Sequence, residues 1–129
     1  MSIDELLARA RDGLERVTPE QAAAAVRDDA VLIDIRSDSQ RARDGLVPGA
    51  VFIPRNVLEW RCDPSSGWRD PEASQPGRQV IVMCNEGYQS SLAAATLKQL
   101  GLAHATDLIG GFQAWRAAGL EVAPLSERD

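Results

Sequence analysis

Cys84 follows the apolar segment QVIVM (79–83), and this position is suited to a reactive thiol. A Val- and Ile-rich run of this kind is typical of a strand buried on both faces, as in a parallel sheet. Ligands of open α/β sheets bind beyond the carboxyl ends of the strands, where Cys84 would lie. A cysteine after an apolar run can equally be a small core residue, so position alone leaves both interpretations open.

The residues after Cys84 predict a loop that stabilises a negatively charged sulfur. The turn into a helix beginning near Ser90 is made by Asn85, Glu86, Gly87, Tyr88 and Gln89. Gly87 permits a backbone conformation in which successive N–H groups converge into an anion-binding nest. The free N–H groups at the start of the helix add to this field, and helix N-termini favour the thiolate form of cysteine. The loop therefore favours the reactive interpretation.

Strand and helix patterns alternate along the rest of the chain. Strand candidates are 30–35, 50–54, 79–83 and 105–110, and helix candidates are 2–15, 19–26, 90–100 and 111–119. The segment 63–78 holds three of the seven prolines and is typical of a long surface excursion. The alternation predicts an α/β fold with a central parallel sheet of about five strands and helices on both faces. We expect one domain over 1–129, with a core of about 17–123 and the helix 2–15 as an extension.

The composition excludes several classes of function. A net charge of -5 argues against a nucleic-acid partner. The sequence has no apolar run of the ~20 residues that a membrane span needs, and its N-terminus lacks a secretory pattern, so we expect a cytoplasmic protein with no membrane partner. Two cysteines and one histidine, His104, predict neither a disulfide scaffold nor a metal site.

Four segments resemble, in the same order, the motifs of the rhodanese-like family of sulfurtransferases. LIDIR (32–36) resembles its buried strand ending in Asp-x-Arg, and GLVPGA (45–50) resembles its Gly-His-Ile-Pro-Gly-Ala segment. VMCNEGYQSS (82–91) resembles its active loop, and GGFQAW (110–115) its C-terminal Gly-Gly-x-x-x-Trp signature. Each motif is weak alone, but four in register form a specific pattern. The resemblance implies a three-layer rhodanese-like fold.

The resemblance also implies a chemistry and a set of site residues. Cys84 would attack a sulfur donor, carry the sulfur as a persulfide and pass it to a thiophilic acceptor, without a metal or organic cofactor. The partners would be a small-molecule donor and acceptor, with a protein as a possible acceptor. Asp34 and Arg36 would be a supporting pair that orders loops. Substrate would be bound by Asn85, Glu86, Gly87, Tyr88, Gln89, Ser90 and Arg55.

Some residues leave alternatives open. Trp60 could form an aromatic wall beside the sulfur or fill the core, and Cys62 could be a resolving thiol or an inert one. Glu86 is a departure from the family, since thiosulfate-using members often carry basic residues in this loop, and a carboxylate there would repel a dianionic donor. The alternative function is therefore a non-enzymatic binding module that senses redox state or persulfides. Related phosphatases need Arg six positions after the cysteine, where this chain has Ser90, so phosphatase activity is not expected.

Overall fold

The computed structural model describes residues 1–125 and contains a four-stranded parallel sheet. The strands are β1 (Val31–Asp34), β2 (Val51–Phe52), β3 (Val80–Met83) and β4 (Ala105–Asp107), in the order β2-β1-β3-β4. The helices are α1 (Ile3–Asp12), α2 (Pro19–Arg27), α3 (Asp38–Asp44), α4 (Leu58–Cys62), α5 (Gln89–Gln99) and α6 (Gly111–Ala117), with a 3-10 turn at Arg55–Val57. The last four residues of the predicted domain, 126–129, lie outside the described part.

The sheet separates two apolar clusters, which confirms the predicted three-layer α/β fold. Every residue of β1 and β3 is buried, as expected for strands covered on both faces. One cluster joins alternate strand residues to α4 and α5, and α1 packs on the outside of α5. The other joins the intervening strand residues to α2 and α6, including Phe112 and Trp115. Within residues 1–125, no helix is both long enough and apolar enough to cross a membrane.

The prediction of about five strands was one too many for the described residues. Val17 pairs with Leu108 beside β4 through a single parallel bridge and does not extend into a strand. Thr18 caps α2 and Pro19 occupies its first turn, so the chain enters the helix immediately after the bridge. Val17 nevertheless holds the preceding residue, Arg16, beside the carboxyl end of β4.

Two helices were missed by the sequence interpretation, and one carries a recognisable signal. α3 begins with a capping box, in which Ser37 and Gln40 exchange hydrogen bonds with each other's backbone. α4 is only five residues long and has no side-chain cap. Trp60 on α4 is 56% exposed, so the interpretation of Trp60 as a core residue was wrong.

A buried ion cluster joins the end of β1 to the elements around it. Arg36 donates to Asp34 Oδ2 at 2.8 Å and to the Gly45 carbonyl at 2.8 Å. Its guanidinium lies 3.8 Å from the centre of the Phe112 ring, and Arg41 Nε lies 3.5 Å from Asp34 Oδ2. All three charged side chains are nearly inaccessible to water. Asp34 therefore balances two buried guanidinium groups.

Replacing Asp34 should destabilise the fold strongly. Asp34→Ala leaves Arg36 and Arg41 buried without a carboxylate, and breaking a buried ion pair in this way costs about 3–5 kcal/mol. Asp38→Ala removes an exposed carboxylate from the first turn of α3 and should cost less than about 1 kcal/mol. Guanidinium denaturation gives the two free energies of unfolding. Equal losses in the two variants would contradict a structural role for the ion cluster.

Candidate active site

The Cys84 sulfur lies at the carboxyl end of β3, an interior strand, and accepts hydrogen bonds from the loop backbone. The Gly87 N–H donates to Sγ at 3.1 Å and the Ser90 N–H donates at 3.3 Å. Cys84 is 7% exposed, so a small part of the residue remains accessible to solvent. Convergent backbone N–H groups of this kind form sites that can bind negative charge.

Further N–H groups of the loop bind no acceptor in the described part of the chain. The backbone N–H groups of Glu86, Tyr88 and Gln89 form no hydrogen bond with an acceptor among residues 1–125. Backbone donors are nearly always satisfied in a native structure, by protein, water or ligand. The loop therefore carries more donors than one sulfur atom uses, as an anion-binding nest requires.

The carbonyl groups of the loop are bound by the start of α6. The Phe112 N–H donates to the Cys84 carbonyl at 2.8 Å, and the Gln113 N–H donates to the Asn85 carbonyl at 3.1 Å. Gly111 makes this contact possible: its φ is +62°, and a Cβ there would lie 2.5 Å from the Cys84 carbonyl oxygen. The GGFQAW motif thus binds the back of the active loop.

Gly87 provides the turn that brings its N–H to the sulfur. Its φ is +89°, a region that side chains disfavour, and a Cβ there would lie 2.6 Å from the Gly110 nitrogen. Both the conformation and the contact with the Gly-Gly pair exclude a side chain. This gives a physical reason for the glycine three residues after Cys84.

The carboxylate of Asp107, at the end of β4, binds the start of α5. This role of Asp107 was not predicted from the sequence. Its carboxylate is fully buried and accepts from the hydroxyls of Ser90 and Ser91, each at 2.8 Å. Arg16 Nε donates to the same carboxylate at 2.8 Å. The two serines are thereby fixed at the helix start, and Ser90 directs its N–H to the sulfur and its hydroxyl to Asp107.

Two arginines near the N-terminus bind the same loop, and the sequence did not predict these contacts either. Arg11 of α1 and Arg16 both donate to the Gly87 carbonyl, at 2.8 and 3.1 Å. Arg11 also donates to Ser91 Oγ at 3.0 Å, and its guanidinium lies 5.6 Å from the centre of the Tyr88 ring. More than 70 positions separate these arginines from Gly87, and no local pattern in the sequence indicates such a contact.

The predicted substrate-binding residues of the loop lie around Cys84 in different environments. Glu86, Tyr88 and Gln89 are exposed, and Tyr88 is 60% accessible at the loop surface. The Asn85 side chain accepts a hydrogen bond from Gln113 Nε2 at 3.0 Å, so its amide oxygen is already engaged. The exposed side chains include the carboxylate of Glu86, and their role toward substrate remains a prediction.

The remaining predicted site residues bind partners outside the loop. Arg36 pairs with Asp34 and packs against Phe112, whereas Cys84 belongs to the apolar cluster on the other face of the sheet. Arg55 donates through Nη1 to both oxygens of Glu59, at 2.9 and 3.0 Å, so its charge is balanced locally. A role for Arg55 toward substrate remains a prediction.

Cys62 lies in an environment that keeps its thiol protonated. It is fully buried on α4, and burial, with smaller contributions from Asp70 and Glu59, raises its pKa to about 12. Both cysteines are free thiols. Within residues 1–125, no group of three or more His, Cys, Asp or Glu side chains is arranged to hold a metal ion.

Comparisons with known proteins converge on one family. The family model for the rhodanese-like domain matches residues 18–118. Thiosulfate sulfurtransferase GlpE of Pseudomonas syringae pv. syringae is 30% identical over 102 residues, covering 79% of this chain and 87% of that protein. A human single-domain sulfurtransferase has 25% identity and a TM-score of 0.65, covering 79% of this chain and 95% of its own.

One similar structure carries a different description. A Rhodopseudomonas palustris protein of unknown function, described as a possible tyrosine phosphatase, has 32% identity and a TM-score of 0.86. The alignment covers 95% of both chains. It therefore includes residues on the N-terminal side of the family match, where the two loop-binding arginines lie.

The two thiols should differ sharply in reactivity. At pH 8 we expect iodoacetamide to modify Cys84 and to spare Cys62, because a thiol with a pKa of about 12 is almost entirely protonated there. Peptide mass spectrometry after brief labelling measures both sites. Labelling in guanidinium should modify both cysteines, and Cys84→Ser should leave the folded protein unlabelled. Rapid modification of Cys62 in the folded protein would contradict its assignment as an inert thiol.

Proposed function

This chain belongs to the rhodanese-like domain family, and we propose that it is a sulfurtransferase that carries sulfane sulfur on Cys84. The observation that supports this most strongly is the set of backbone donors in the loop, two of which bind the sulfur. Gly87 and Ser90 already donate to Sγ, and three neighbouring N–H groups have no acceptor within residues 1–125. A persulfide adds a second, negatively charged sulfur atom that such donors can bind.

The proposed reaction has two displacement steps. The Cys84 thiolate attacks the outer sulfur of a donor such as thiosulfate, the S–S bond of the donor breaks, and sulfite leaves with the bonding electron pair. Cys84 then carries a persulfide, Cys–S–S⁻. An acceptor thiolate attacks the outer sulfur, becomes a persulfide itself and returns Cys84 to the thiolate. Charge is conserved in both steps, and neither needs an external oxidant or reductant.

The geometry supports phosphatase activity less well than it supports sulfur transfer. Phosphatases of the related type place Arg six positions after the cysteine, and this chain has Ser90 there. The Ser90 hydroxyl donates to the Asp107 carboxylate, so its hydrogen is already used in that bond. The described residues offer no guanidinium from that position to bind a phosphate. A phosphatase assay is nevertheless a useful control because of the description given to the R. palustris protein.

The experiment that tests the proposal is mass spectrometry of the intact protein after incubation with sulfur donors. Thiosulfate, mercaptopyruvate and a low-molecular-weight persulfide are tested separately, and at least one should add a single sulfur atom to Cys84. Cys84→Ser should abolish the addition, whereas Cys62→Ser should keep most of it. A following acceptor thiol should remove the sulfur. No addition with any donor would contradict the proposal and favour a non-enzymatic module, and hydrolysis of para-nitrophenyl phosphate would favour a phosphatase.

Glu86 should determine how well the proposed enzyme accepts thiosulfate. An exposed carboxylate near the sulfur repels a dianionic donor, and salt weakens this repulsion. Glu86→Lys should raise kcat/KM for thiosulfate by about fivefold at low ionic strength, with little change for a neutral persulfide donor. Glu86→Gln should give a smaller increase in the same direction. Equal changes for both donors, or no dependence on salt, would show that Glu86 does not affect the choice of donor.

A further inference from the structure

We propose that Arg11 and Arg16 are positioning residues of the active loop, which orient the Tyr88 N–H toward the outer sulfur of a Cys84 persulfide. This inference rests on the proposed function and adds to it a part of the site that precedes the family match at residues 18–118. Both guanidinium groups converge on one atom, the Gly87 carbonyl oxygen.

The orientation follows from the planarity of the peptide unit. The Gly87 carbonyl and the Tyr88 N–H belong to the same trans peptide, in which C=O and N–H point in opposite directions. Holding the carbonyl oxygen against the arginines therefore directs the Tyr88 N–H away from them. That N–H has no acceptor among residues 1–125, and its neighbours at 87 and 90 already donate to Sγ. The Tyr88 N–H thus belongs to the same turn as the N–H groups that bind the sulfur.

Each arginine is itself fixed by other contacts. Arg16 forms an ion pair with the buried carboxylate of Asp107, and the neighbouring Val17 pairs with Leu108 beside β4. Arg11 is held by the Ser91 hydroxyl and by the Tyr88 ring. Hydrogen bonds from a charged donor are stronger than neutral ones, so two of them oppose a flip of the Gly87–Tyr88 peptide.

The two arginines differ in how much their replacement should destabilise the fold. Arg16 neutralises Asp107, so replacing it would leave a buried carboxylate unpaired and destabilise the fold. Arg11 forms no ion pair with a carboxylate in the described part of the chain and is only partly buried. Arg11 can therefore be replaced with less damage to the fold. Arg9, exposed on the same helix, gives a control with the same loss of charge.

The test compares Arg11→Ala, Arg11→Lys and Arg9→Ala with the unmodified chain of 129 residues. Cys84 is loaded chemically with inorganic polysulfide, excess reagent is removed, and the lifetime of the persulfide is followed by intact mass spectrometry. The rate of iodoacetamide alkylation is measured on sulfur-free protein, and thermal unfolding is recorded for each variant. Alkylation reports on the thiolate held by Gly87 and Ser90, whereas persulfide lifetime also depends on the donor to the outer sulfur.

We expect Arg11→Ala to shorten the persulfide lifetime by about tenfold, as for a weakened hydrogen bond to a charged group, and to change the alkylation rate less than about twofold. Arg11→Lys should restore part of the lifetime, and Arg9→Ala should match the unmodified chain. Equal lifetimes in Arg11→Ala and Arg9→Ala would overturn the role of Arg11. An equal loss of lifetime and alkylation rate would also overturn it, since it would indicate general disorder of the loop. If the unmodified chain retained no sulfur, the proposed function would fail first, and this inference with it.

Discussion

The active loop depends on one constraint: its N–H groups can converge on a sulfur only if its carbonyl groups find donors elsewhere. Each peptide unit points its N–H and C=O in opposite directions, so a loop that directs donors inward directs acceptors outward. An outward carbonyl that is buried without a partner costs about as much as a lost hydrogen bond. The contacts around Cys84 supply donors to these carbonyl groups.

Four parts of the chain supply these donors: α6, Arg11 on α1, Arg16 after it, and the first turn of α5. The start of α6 binds the carbonyls of Cys84 and Asn85 through backbone N–H groups. Arg11 and Arg16 bind the carbonyl of Gly87, and the Ser91 N–H binds that of Tyr88. Asp107 then fixes the serines and Arg16 in one buried network. The Cys84 sulfur is therefore positioned partly through residues from both ends of the chain that do not themselves donate to it.

The sequence predicted the parts of this site that depend on local pattern. The buried strand before Cys84, the glycine in the loop, the helix after it and the Gly-Gly motif all carry short-range signals, and the α/β fold followed from their alternation. Arg11, Arg16 and Asp107 carry none, because their contacts arise only when α1 packs on α5 and Val17 pairs beside β4. The predicted number of strands was one too high, and Val17 forms only a single bridge beside β4 because the cap and proline of α2 follow it directly.

The most direct measurement is a crystal structure of the protein with Cys84 loaded as a persulfide. We predict that the outer sulfur lies inside the loop, within hydrogen-bond distance of the Tyr88 N–H, while the Gly87 carbonyl keeps its contacts with Arg11 and Arg16. An outer sulfur directed into solvent, or a Gly87 carbonyl turned toward the sulfur, would contradict the account of the loop as a backbone site that arginines hold in place.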